Sequence, residues 1–142
     1  MEYFASEALI SARASTVWEV ITDTGNLTVW ESGITAIDGE LRNGGTIRIK
    51  TPDAGGRSLR VRVQQRPGEV MTWTSRLPLG LLKRIRTFTL SPDAGRTRLT
   101  VKEEVSGPLA VLVRNTSQDP TQFLDDFVQA VTSRAELLER VS

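Results

Sequence analysis

Arg84-Ile85-Arg86-Thr87-Phe88-Thr89-Leu90 and Thr97-Arg98-Leu99-Thr100-Val101-Lys102-Glu103-Glu104-Val105 are two alternating runs separated by the turn residues Asp93-Ala94-Gly95-Arg96. Such a pair predicts an antiparallel hairpin with Leu90 opposite Leu99, Phe88 opposite Val101 and Arg86 opposite Glu103. Side chains alternate faces along a strand, so the face that buries Phe88, Leu90, Leu99 and Val101 also carries Arg86 and Glu103. Two charges then point inward. Buried charges are tolerated when paired, and they are most easily explained where the interior is a cavity with a task.

Outward from this hairpin, the residues 3–11 read as a strand and Ala14–Thr22 as a short helix, with Ser15 and Thr16 as possible caps. A half-turn over 27–30 follows. Strand-like runs at 34–41, 46–51, 58–66, 69–76 and 84–91 are divided by Gly, Pro, Asn and Asp clusters, and a strand at 96–106 closes the series. The segment 107–113 predicts a short packing helix. Asp119 then suits an N-cap, Pro120 the first helical position and Gln122 the third, completing a capping box. Beyond them Leu124, Phe127, Val128, Val131, Ala135 and Leu138 recur at helical spacing and form one apolar stripe. That stripe needs a sheet to lie on, and a straight helix across a curved sheet leaves a wedge that can serve as a pocket. Arg48, Lys50, Arg60 and Arg62 alternate with apolar residues, so the opposite sheet face is cationic and solvated. It carries no interleaved aromatic residues for stacking on bases, and no nucleic-acid partner is expected.

The 142 residues, with 39% hydrophobic and 25% charged content, predict a single domain over 1–142 with one core. A net charge of +1 supplies no global field for gripping nucleic acid. Cysteine and histidine are both absent, which removes disulfides, thiolate chemistry, the commonest general base and the usual zinc ligands. No metal or other cofactor is expected. The opening residues lack a basic region followed by an apolar stretch, and no run is long and apolar enough to span a bilayer, so the expectation is a cytoplasmic protein without a membrane span.

The order strand, short helix, Asp-to-Trp loop, six strands and long terminal helix resembles the START-like superfamily, also called the helix-grip or SRPBCC fold. Carrying the likeness are Ile10-Ser11-Ala12-Arg13-Ala14-Ser15-Thr16-Val17-Trp18-Glu19-Val20-Ile21-Thr22-Asp23, then Trp30, Met71-Thr72-Trp73, Phe88-Thr89-Leu90 and the run from Thr97 to Gly107. The last three look like later strands of the polyketide cyclase/dehydrase-like branch. The resemblance implies an α+β helix-grip fold: a curved antiparallel seven-stranded sheet wrapped on a long C-terminal helix, with short helices after strand 1. It also implies a small, largely apolar ligand such as a lipid, polyketide or aromatic metabolite, held between sheet and helix. In that branch the position of Arg86 can hold histidine and that of Glu103 is often acidic. A guanidinium does not give up its proton near neutral pH, so Arg86 cannot replace an imidazole acid or base.

Three roles stand open for Arg86 and Glu103. They can be a bidentate structural clamp, an anchor for an acidic or carbonyl group of a ligand, or a site where Glu103 acts as base in an aldol-type ring closure. A bulge would swap the faces and turn Arg86 out. Trp30, Trp73, Phe88, Val101, Phe123 and Phe127 are expected to line or close the pocket, Trp30 as a lid or as plain packing and Trp73 inward by bulk. Trp18 is expected to pack the short helix onto the sheet. The apolar loop Leu77-Pro78-Leu79-Gly80-Leu81-Leu82 is either a gate hinged at Gly80, a plug or a dimer contact. The functional classes are therefore an apolar-ligand binder, a polyketide aromatase/cyclase in which shape and Glu103 do the work, or a non-catalytic protein interaction module.

Overall fold

The computed structural model describes residues 2–23, 36–50, 58–114 and 120–141. Among these, seven strands and three α-helices follow in the order β1 (Glu2–Ile10), α1 (Ala14–Thr22), β2 (Ala36–Asp38), β3 (Thr46–Lys50), β4 (Leu59–Arg66), β5 (Val70–Arg76), β6 (Lys83–Asp93), β7 (Arg96–Ser106), α2 (Ala110–Arg114) and α3 (Pro120–Val141), with a single 3₁₀ turn at Pro78–Gly80 between β5 and β6. The strands form one antiparallel sheet in the order β1-β7-β6-β5-β4-β3-β2, so the first of the described strands lies beside the last. The result is the expected α+β arrangement, a curved seven-stranded sheet gripping a long C-terminal helix.

The register of the decisive hairpin is the predicted one, with Arg86 opposite Glu103, Phe88 opposite Val101 and Leu90 opposite Leu99. Its tip is a two-residue turn in which Ala94 (φ 52°) and Gly95 (φ 83°) both take left-handed backbone, the geometry that matches the twist of the flanking strands. The predicted strand at 34–41 is shorter in its described part: Ala36–Asp38 pairs with β3, and Gly39 (φ 107°) ends it. On β3 and β4 the alternation holds, with Ile47, Ile49, Val61 and Val63 buried and Arg48, Lys50, Arg60 and Arg62 exposed.

α3 lays its stripe on the sheet and on α1. Leu124, Phe127, Val128, Val131 and Ala135 are buried in one cluster with Phe88, Leu90, Leu99, Val101 and Met71, and Leu138 and Trp18 pack against its edge. Each large apolar side chain removed from water in this way contributes roughly 1.5–3 kcal/mol.

The caps differ from expectation. The expected N-cap Asp119 lies outside the described residues. Gln122 donates forward from Nε2 to Asp126 Oδ1 at 2.8 Å, an i to i+4 pair in place of a reach back to the helix start. Neither Ser15 nor Thr16 caps α1: its N-cap is Arg13, with no side-chain cap of its own. The far end of α3 supplies the acceptors instead. Glu139 Oε1 accepts from the Arg13 backbone N–H at 2.7 Å and from Thr16 Oγ1 at 3.3 Å, and Glu136 Oε2 accepts from the Ser11 N–H at 2.9 Å. Carboxylates suit this position because the N–H groups at a helix start are unpaired and carry partial positive charge.

Candidate functional site

Five neighbouring strands and α3 surround a recess on the inner face of the sheet. β3 contributes Ile49, β4 Leu59 and Val61, β5 Trp73 and Ser75, β6 Arg84 and Arg86, β7 Glu103, and α3 covers it with Phe123. The recess contains about 430 Å³ of unoccupied space, a figure that includes open solvent at its mouth. Strand pairing fixes its polar row, because Trp73 stands opposite Arg86 and Arg86 opposite Glu103, while Ser75 stands opposite Arg84.

Glu103 is only 3% exposed. Its Oε1 accepts a hydrogen bond from Arg86 Nη2 at 2.9 Å, and Arg84 Nε lies 3.8 Å from the same oxygen. The expected two-pronged clamp is thus a single hydrogen bond, because two guanidinium groups converge on one carboxylate oxygen. The Arg86 guanidinium also sits 5.2 Å from the centre of the Phe123 ring, so the helix adds a cation–π contact to the ion pair. Two cations and one anion leave this part of the wall with an excess positive charge, in surroundings where water screens it weakly.

Three donors here have no hydrogen-bond partner among the described residues: the Trp73 Nε1–H, the Arg84 Nε–H and the Arg86 Nε–H. Each belongs to a side chain of the recess wall, and a buried donor left unpaired costs about 1–3 kcal/mol. Donors gathered on one wall in this way are met by oxygen acceptors, which water or a ligand entering the recess can supply.

Of the residues expected to form the site, Arg86, Glu103, Trp73 and Phe123 come together at the recess. Phe88, Val101 and Phe127 lie in the packed core instead, with the Phe88 ring centre 5.2 Å from that of Trp73 and 5.8 Å from that of Phe127. The Phe88 ring meets Trp73 edge-on and so supports it from the core side. Trp30 falls outside the described residues. Arg84 and Ser75 are the polar members not foreseen. Arg84 shares the parity of Arg86, which is the signal that would have found it.

With this geometry in view, the family comparison is decisive: the model for polyketide cyclase / dehydrase and lipid transport matches residues 1–134. The chain belongs to the polyketide cyclase/dehydrase and lipid transport family. No curated protein matches it significantly. Among solved structures, protein MLL2253 from Mesorhizobium loti is similar with a TM-score of 0.75 at 19% identity, covering 99% of both chains. DynU16, from the dynemicin biosynthetic locus, is similar over 98% of this chain and 49% of its own length, with a TM-score of 0.69 at 19% identity. The di-domain ARO/CYC protein StfQ of the steffimycin pathway is similar over 98% of this chain and 51% of its own, with a TM-score of 0.68 at 10% identity. This cyclase/dehydrase-family chain therefore spans about half the length of those two, and at such identities the likeness speaks for the fold alone.

Proposed function

We propose that the protein binds a small, largely apolar molecule carrying an acidic, enolic or carbonyl oxygen, which enters the recess between the sheet and α3. The observation that carries this reading is the set of donors without a hydrogen-bond partner on Trp73, Arg84 and Arg86 beside a wall of Ile49, Leu59, Val61 and Phe123. Arg86 and Arg84 meet the ligand oxygen, Glu103 holds the Arg86 guanidinium in place, and the apolar residues accept the ring or chain. A flat or slender group suits the recess, since part of its space is the open mouth.

A second reading, a polyketide aromatase/cyclase, draws support from the family description. With no histidine in the chain, Glu103 is the acid or base at hand, and the guanidinium pair would stabilise an enolate oxygen while the walls hold reacting carbons close.

Affinity measurements with naphthoate and its neutral amide test the binding reading. The parent protein binds the acid more tightly, and Arg86→Leu costs the acid about 1.5–3 kcal/mol, the value of a charged hydrogen bond, with a smaller effect on the amide. Equal affinities in parent and variant would remove Arg86 as the anchor. For the second reading, product formation from a poly-ketone substrate that survives Glu103→Gln would exclude Glu103 as the base.

A further inference from the structure

The segment Arg76-Leu77-Pro78-Leu79-Gly80-Leu81-Leu82-Lys83 joins β5 to β6 and puts its leucines outside. Leu79 is 96% exposed and sits at φ 61°, left-handed backbone that a leucine adopts only at a cost. Leu77 and Leu81 are also exposed, while Leu82 turns inward onto the Val105 and Ala110 cluster. The loop is therefore not a plug. It is fastened at its base: Leu77 N–H donates to Leu82 O at 2.9 Å, and Leu109 N–H donates to Leu81 O at 3.1 Å. Gly107 permits that approach, since a Cβ there would stand 2.6 Å from Leu81 O. The same fastening brings up α2, which exposes Val111 and Leu112, the latter by 56%.

The neck of this apolar tip is cationic. Residues 70–92 contain no acidic residue; of their cations, Arg84 and Arg86 are held by Glu103 in the recess, and Arg76 and Lys83 are left to the neck, with Glu104 of β7 opposite Ile85 further from the tip. Arg76 and Lys83 face each other across the first pair of the hairpin, at the neck of the loop, on the sheet face opposite the recess. The next pair, Ser75 and Arg84, lines the recess. Exposed leucines above a cationic neck match the two layers of an anionic bilayer surface, where apolar side chains enter the acyl boundary and Lys and Arg meet phosphate and carboxylate groups.

We infer that the 77–82 loop, with the exposed face of α2 beside it, is a docking surface for an anionic membrane. Docking there sets the recess close to the bilayer. The inference rests on the loop and its charges, independently of what the recess binds.

Co-sedimentation with vesicles of phosphatidylcholine, with and without phosphatidylserine, tests it. The parent binds the vesicles that contain phosphatidylserine, and binding falls as salt rises. Leu79→Glu, at a side chain without packing contacts to lose, and the double variant Arg76→Glu/Lys83→Glu each weaken binding by roughly tenfold or more while melting as the parent does. Should a variant fail to fold, Leu79→Trp replaces it, and brominated acyl chains quench the added indole. Absence of binding by the parent, binding that the loop variants leave unchanged, or a dimer that forms without vesicles and dissolves in Leu79→Glu would each overturn the inference, the last by giving the patch to a second copy of the chain.

Discussion

Glu103 faces two guanidinium groups from within the sheet, and substitution separates what folding asks of that trio from what a ligand asks. Glu103→Leu leaves Arg84 and Arg86 close together without their anion, at an expected cost of roughly 3–5 kcal/mol. Adding Arg86→Leu removes the stranded charge and recovers most of that loss, because a buried ion pair seldom exceeds an apolar replacement in stability. Urea unfolding of the two variants checks this. A double variant as unstable as the single one would make the pair a clamp required by the fold. Recovery would instead mean that the charges are kept for a reason outside stability, in line with the donors of Trp73, Arg84 and Arg86 that lack a hydrogen-bond partner.

At the scale of elements, the meeting of α1 with the last turns of α3 depends on acidity. The Arg13 backbone N–H and then the Arg13 guanidinium hold the Glu139 carboxyl below its usual 4.5, with Thr16 adding to the effect. A folded value below the unfolded one stabilises the protein above the ordinary carboxylate range, and the contribution disappears as pH falls through the folded value. The stability gap between the parent and Glu139→Gln is therefore widest near neutrality and closes in acid; a gap independent of pH would refute the linkage. The salt bridge from Arg13 Nε to Glu139 Oε2 at 3.1 Å lies near the surface, so added salt narrows the gap too. Nothing in the sequence around α1 announces this arrangement. Ser15 and Thr16 are locally sound capping residues, but the acceptor comes from 126 positions away, and local propensity carries no information about a partner brought in by tertiary packing.

For the whole molecule, Phe127 is the side chain that ties α3 to the sheet through Phe88 and, behind it, Trp73. Phe127→Ala is expected to cost about 3–5 kcal/mol in equilibrium unfolding, and a loss under ~1 kcal/mol would show that the core collapses to fill the gap. This layer was legible in the sequence because period-two alternation in β6 and β7 and period-3.6 recurrence in α3 each name a buried face without reference to anything distant. The recess was legible only in part. Arg86 announced itself by standing directly opposite Glu103, whereas Arg84 stands opposite Val105 and reaches the carboxylate on the diagonal, a contact that facing pairs do not reveal. The leucines of the 77–82 loop were conspicuous by composition, but which of them turns inward depends on the Gly107 and Leu109 backbone. The placement of β1 beside β7 also bears on how the protein is made. Among the described strands β1 pairs with β7, and five other strands are translated between the two. Until β7 emerges, the edge of β1 that it covers stays open, so this part of the sheet closes only after the β6–β7 hairpin has been made.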